Sequence, residues 1–137
     1  MITAVDTSVL LDVFGGDAQH GPASAAALRT CLKQGKLIAC DVVWAEVIAF
    51  FASADSGGDV MNRLGVEFSS LEHKAALTAG EIWREYRARG GKRQRVVADF
   101  LIGAHAMIQA DRLLSHDRGF YRAYFKKLNV LGPGGAS

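Results

Sequence analysis

Short runs of β-forming residues recur along this sequence, and a helical pattern stands between each run and the next. Ile2-Thr3-Ala4-Val5, Leu37 to Ala39, Val66-Glu67-Phe68, Leu113-Leu114 and Asn129-Val130-Leu131 read as strands. Between them lie a short helical turn through Val9-Leu10-Leu11, an amphipathic helix from Ala23 to Gln34 stopped by Gly35, and a helix from Val42 to about Ser53 with Asp41 as its cap. A loop at Ser56-Gly57-Gly58, a short helix over Val60 to Leu64, a long helix over Leu71 to Arg89, an apolar helix over Val97 to Ala110 and a short one over Phe120 to Phe125 complete the pattern. Strands that alternate with helices must be joined by crossovers, which predicts an α/β domain with a mostly parallel, five-stranded sheet flanked by helices. Ligands of such sheets bind beyond the carboxyl ends of the strands, so the residues there decide the chemistry.

A chain of 137 residues fits one domain on a prior of ~100–200 residues each, here residues 1–131, with a Gly-rich tail at 132–137 that need not be ordered. Half the residues are hydrophobic, enough for one core, which excludes a disordered chain and a disulfide scaffold. The most apolar stretch, Val42 to Ala52, contains Glu46 and falls well short of the ~20 residues that cross a bilayer. Asp6 and Asp12 interrupt the first apolar residues and no basic lead-in precedes them, so no secretory leader is expected. Cys31 and Cys40 are then expected as reduced, buried thiols in a cytoplasmic protein.

Four acidic residues stand where solvation alone would not place them. Asp6 ends the first strand and Asp117 comes just after the fourth; each can be a turn or helix cap, or a ligand at the strand ends. Glu46 lies in Val42 to Phe51 and Asp99 in Val96 to Ala104, segments with hardly a polar face, so both are expected to be buried. A buried carboxylate needs a cation, a metal or a set of N–H donors; a cap at the helix start would also serve Asp99, and no Arg or Lys occurs between 37 and 62. Carboxylates on four segments that converge would repel one another unless a divalent cation neutralised them, and an all-oxygen donor set selects Mg²⁺ or Mn²⁺. The histidines at 20, 73, 105 and 116 show no zinc spacing, and His105 is expected to be a packed side chain.

The segments Val5-Asp6-Thr7-Ser8-Val9-Leu10, Ala45-Glu46-Val47, Val97 to Ala106 and Leu113 to Tyr121 resemble, in this order, the motifs of PIN-domain nucleases, and more narrowly those of VapC-type toxins of bacterial toxin–antitoxin pairs. The resemblance spans positions 2 to 121. It implies a PIN-like sheet whose acidic site binds Mg²⁺ or Mn²⁺ and cleaves single-stranded or looped RNA. Carried onto this chain, the catalytic set is Asp6, Glu46, Asp99 and Asp117, with Ser115 supporting it by a hydrogen bond. Asp6, Asp99 and Asp117 are assigned as metal ligands; Glu46 is either a ligand through water or the base that orients the nucleophile. His116 stands where the family has an Arg or another polar residue, and Asp12 falls outside the site.

Residues 84–95 hold six Arg or Lys against one Glu, leaving ten basic and thirteen acidic residues on the remainder. The segment is either a solvated helix end or, in the nuclease reading, a track for the RNA backbone built from Arg87, Arg89, Lys92, Arg93 and Arg95, extended by Arg118 and Arg122. The resemblance also implies an antitoxin that blocks the site, and a homodimer. Trp44, Phe50 and Phe51 are candidates for an antitoxin groove but are expected in the core. A PIN-like module that only binds RNA or a partner is the alternative from another functional class.

Overall fold

The computed structural model describes residues 1–91 and 95–134. Its elements run β1 (Ile2–Val5), α1 (Thr7–Phe14), α2 (Gly21–Gln34), β2 (Lys36–Ala39), α3 (Asp41–Phe50), α4 (Ala54–Leu64), β3 (Val66–Phe68), α5 (His73–Ala88), α6 (Val97–Gln109), β4 (Arg112–Leu114), α7 (Arg118–Tyr124) and β5 (Val130–Leu131). The strands form one sheet in the order β3-β2-β1-β4-β5, with every pairing parallel. The α/β architecture with a five-stranded sheet flanked by helices is the one the sequence predicts.

Strand β1 is central: Ala4 pairs with Ile38 of β2 on one side and with Leu113 of β4 on the other. The chain winds outward from β1 to β2 and β3, then crosses back to β4 and β5. Beyond the carboxyl ends of β1 and β4 it therefore leaves a crevice, the topological switch point where ligands of open α/β sheets bind. The Asp6 amide extends the ladder by donating to the Leu114 carbonyl at 2.9 Å, which fixes Asp6 at the lip of that crevice.

Val5, Val9, Leu10, Leu28, Leu37, Leu113 and Leu114 are buried around the sheet, and each such side chain contributes about 1.5–3 kcal/mol on leaving water. A second cluster is aromatic. Phe100 of α6 stacks on Trp83 of α5 at 6.0 Å between centroids, meets Tyr86 at 5.4 Å and meets Phe120 of α7 edge-on at 5.4 Å. Gly103 makes this packing possible, because a Cβ there would lie 2.6 Å from the Phe125 ring. The cluster locks α5, α6 and α7 together beneath the segments that carry Asp99 and Asp117.

Several boundaries differ from the sequence expectation. Ser56-Gly57-Gly58, expected as a loop, lies inside α4, which Ser53 caps by accepting the Ser56 amide at 3.1 Å. Gly57 is buried against α3, where an added Cβ would stand 2.7 Å from Ile48 Cδ1, so this glycine serves a close helix contact rather than a turn. Gly65, with φ of +88°, does end that helix in the left-handed conformation. Asp41 is not the cap of α3 but sits in its first turn, and its carboxylate accepts the Leu71 amide at 2.8 Å. Together with Gln109, which accepts the Glu72 amide at 2.9 Å, this holds the chain extended until α5 starts at His73 rather than Leu71.

Cys31 and Cys40 are free, buried thiols, and among the described residues no helix is long and apolar enough to cross a membrane. Of the Gly-rich tail, Gly132 lies against the Arg118 side chain, while residues 135–137 fall outside the described residues.

Candidate active site

Asp6 leaves β1 and opens α1, so its carboxylate is held from two sides. Oδ1 accepts the Thr7 amide at 2.8 Å, and Oδ2 accepts the Ser115 hydroxyl at 2.7 Å and the Tyr121 hydroxyl at 3.4 Å. Burial pushes the Asp6 carboxyl above its ordinary range; the hydrogen bonds from Ser115 and Thr7 oppose that, and the charges of Asp99 and Glu46 add to it. Two carboxylates that the sequence separates by dozens of residues thus act on Asp6 directly.

Ser115, fully buried just past β4, does more than support one residue. Its hydroxyl donates to Asp6 and accepts the Asp117 amide at 3.0 Å, so a single side chain sets the spacing of the two strand-end carboxylates. Asp99 stands in the first turn of α6 and accepts the Val96 amide at 3.2 Å. It caps its helix, and its charge adds to the upward push that burial exerts on both Asp6 and Tyr121.

Neither helix carboxylate is enclosed as expected: Asp99 is only partly buried and Glu46 is exposed. Helix α3 buries only Val43 and Val47, and Glu46, at the edge of that stripe, is exposed. A helix of this length packs along one narrow stripe, so its apolar composition does not enclose every position. The Glu46 carboxylate accepts the Thr7 hydroxyl at 2.7 Å, which ties it to the residue after Asp6. Phe50 likewise departs from its expected core position, being 52% exposed, whereas Trp44 and Phe51 are partly buried.

Two further residues join the cluster without having been singled out from the sequence. Thr7 serves both Asp6 and Glu46, and its place beside Asp6 in the first motif was the available signal. Tyr121 is buried, and burial together with the charges of Asp6, Asp99 and Asp117 pushes its phenol well up, so it stays a neutral donor. It lies one helical turn after Asp117, a spacing that puts both on one side of α7.

The basic residues distribute differently from a simple track. Arg95 pairs with Asp117 and lays its guanidinium 4.1 Å from the Phe120 ring centroid. Arg87 lies over Trp83 at 4.9 Å, Arg118 rests against Gly132, Arg89 and Arg122 are exposed, and Lys92 and Arg93 fall outside the described residues. His105 is packed as expected, 1% exposed and 2.9 Å from the Ser69 hydroxyl.

His116 turns away from the four carboxylates. It pairs with Asp12 and meets His20 edge-on at 5.3 Å, so two histidines scattered in sequence are neighbours in space. Among the described residues, Asp12, Asp17 and His20 form the one trio of possible ligands whose atoms lie within 4.8 Å of one another. Hydrogen bonds account for that grouping: Asp12 accepts from Ser24, and Asp17 accepts the Gln19 and His20 amides of its own turn. The carboxylates of Asp6, Glu46, Asp99 and Asp117 are spread more widely, with Asp117 engaged by Arg95. Their donors nevertheless fit a hard divalent cation, which takes one or two carboxylates directly and reaches the others through water.

Comparison with known proteins agrees with this geometry. No curated protein matches the chain. The PIN domain family model matches residues 3–126. Among solved structures, the chain is similar to VapBC2 from Rickettsia felis bound to a DNA fragment from its promoter, with a TM-score of 0.76 at 18% identity over 96% of this chain and 98% of that one. VapBC-1 from nontypeable Haemophilus influenzae gives 0.73 at 15% over 96% and 98%, and FitAcB from Neisseria gonorrhoeae gives 0.68 at 18% over 97% and 98%. With carboxylates just past the ends of the adjacent strands β1 and β4 and a family match over nearly its whole length, this chain belongs to the PIN domain family.

Proposed function

We propose that this chain is a metal-dependent endoribonuclease and the toxin of a toxin–antitoxin pair, acting in the cytoplasm as a homodimer. The observation that carries the reading is the place of Asp6 at the switch point of the sheet, linked to Glu46 through Thr7 and to Asp117 through Ser115. Partner and toxin role are supported by the solved neighbours, which are VapBC and FitAB complexes.

When bound, Mg²⁺ or Mn²⁺ supplies a water acidified toward neutral pH and positive charge for the phosphate oxygens. Asp6, Asp99 and Asp117 would hold the ion. Ser115 and Thr7 keep Asp6 aimed into the crevice, and Tyr121 donates to it without competing for its charge. Glu46, exposed and steadied by Thr7, would either reach the ion through a water or act as the base that orients the nucleophile. Exposed Arg87, Arg89 and Arg122 draw the RNA backbone toward a centre that otherwise repels it.

The test is cleavage of a mixed RNA pool by protein freed of its partner, with Mg²⁺ or Mn²⁺ added. The wild type should cut and Asp6→Asn should not. Asp99→Asn should lose cleavage with an unchanged circular-dichroism spectrum. If the wild type cuts nothing while it and Asp6→Asn bind RNA equally, the chain is a binding module instead.

A further inference from the structure

Beside the carboxylates, the surface opens into a groove of about 380 Å³. Trp83, Tyr86 and Arg87 line it from α5, Val96 and Val97 from the cap and first residue of α6, and Gly91 and Arg95 complete the lining. Val96 and Val97 are 56% and 44% exposed although Asp99 is close behind them in the chain. Adjacent apolar side chains left in water at the edge of a charged centre are unfavourable unless something covers them.

The charges say what the cover is. Arg87 lies over the Trp83 ring, and Arg95 borders the groove while pairing with Asp117, so the groove and the acidic centre share a side chain. An aromatic and aliphatic slot flanked by guanidinium groups matches a flat π-system joined to an anion, which is an unstacked base with its phosphate. An apolar peptide side chain would gain nothing from the two cations, and a basic one would be repelled.

We propose that this groove is a base-binding subsite that seats one unstacked nucleobase next to the bond cut at the acidic centre, with Arg87 and Arg95 serving the adjoining phosphate. The inference rests on the nuclease reading and adds where the substrate's base is held.

The probe is a short single-stranded RNA of mixed sequence in which an abasic nucleotide is walked through every position. Binding is read by fluorescence anisotropy in Mg²⁺ at fixed salt, with the full chain carrying Asp99→Asn to prevent cleavage. One position should lose about tenfold in affinity when its base is removed, and that loss should shrink to about twofold or less on adding Val97→Ser, a surface change that leaves the fold intact. Trp83→Leu should shrink it as well. Equal losses at all positions, or a position-specific loss that Val97→Ser leaves unchanged, would overturn the subsite while cleavage by the wild type keeps the nuclease reading. Absence of both RNA binding and metal-dependent cleavage overturns the two together. If Val97→Ser instead relieves inhibition by the antitoxin and leaves the abasic loss as it was, the groove is a protein dock and the subsite is wrong.

Discussion

The Ser115 hydroxyl donates to Asp6 Oδ2 at 2.7 Å, joining the residue after the fourth strand to the residue after the first. Because the same oxygen accepts the Asp117 amide, one buried side chain holds two strand-end carboxylates in register. Ser115→Ala leaves the Asp6 carboxylate short of a donor, at a cost of about 1–3 kcal/mol. A denaturant titration should show that loss and an assay should show reduced RNA cleavage, with Ser115→Thr restoring both. Full stability in Ser115→Ala would mean that Thr7 and Tyr121 satisfy Asp6 without it.

Asp6 also sets a pH dependence. Its folded pKa is raised from 3.8, so its contribution to stability is fully present below 3.8 and is lost as pH rises through the folded value. Asp6→Asn should therefore raise the urea midpoint of the metal-free protein at neutral pH, and the gain should shrink as the pH approaches 3.8. Adding Mg²⁺ should stabilise the wild type more than the variant. A gain that does not vary with pH would assign the effect to packing.

Glu46 separates chemistry from scaffold. It is exposed and accepts a hydrogen bond from the Thr7 hydroxyl, so Glu46→Gln, which keeps an acceptor there, should shift stability by no more than about 0.5 kcal/mol. Cleavage should nevertheless fall steeply, seen as a drop in kcat measured beside an unchanged melting curve. A variant with wild-type turnover would remove Glu46 from the site.

Arg95 and a metal ion compete for Asp117. Since the pair is partly exposed, Arg95→Gln should tighten Mn²⁺ binding by up to about fivefold, the worth of a surface ion pair. Calorimetric titration of the two proteins reads this directly, and equal affinities would show that Asp117 does not face the ion.

Gly103→Ala places a methyl group against the Phe125 ring and should cost about 1–3 kcal/mol through overpacking. Phe125→Leu in the same chain should recover part of the loss in the unfolding midpoint. An unchanged midpoint in Gly103→Ala would mean that α6 can shift away from Phe125.

The sequence alone determined the order and type of the strands and helices, because alternating β-runs and helical stripes are local patterns that burial on a sheet enforces. It also determined the strand-end carboxylates Asp6 and Asp117, since a residue just past the end of a parallel strand has its place fixed by the topology. Tertiary structure decided the rest. Whether Glu46 is buried depends on how α3 packs, and only its neighbours leave that side open. Gly57 reads as a loop residue until Ile48 stands against it. The pairing of Arg95 with Asp117, of His116 with Asp12, and of Tyr121 with Asp6 joins segments distant along the chain. Local propensity carries no information about such contacts, because their energies arise only when the crossovers have brought the segments together.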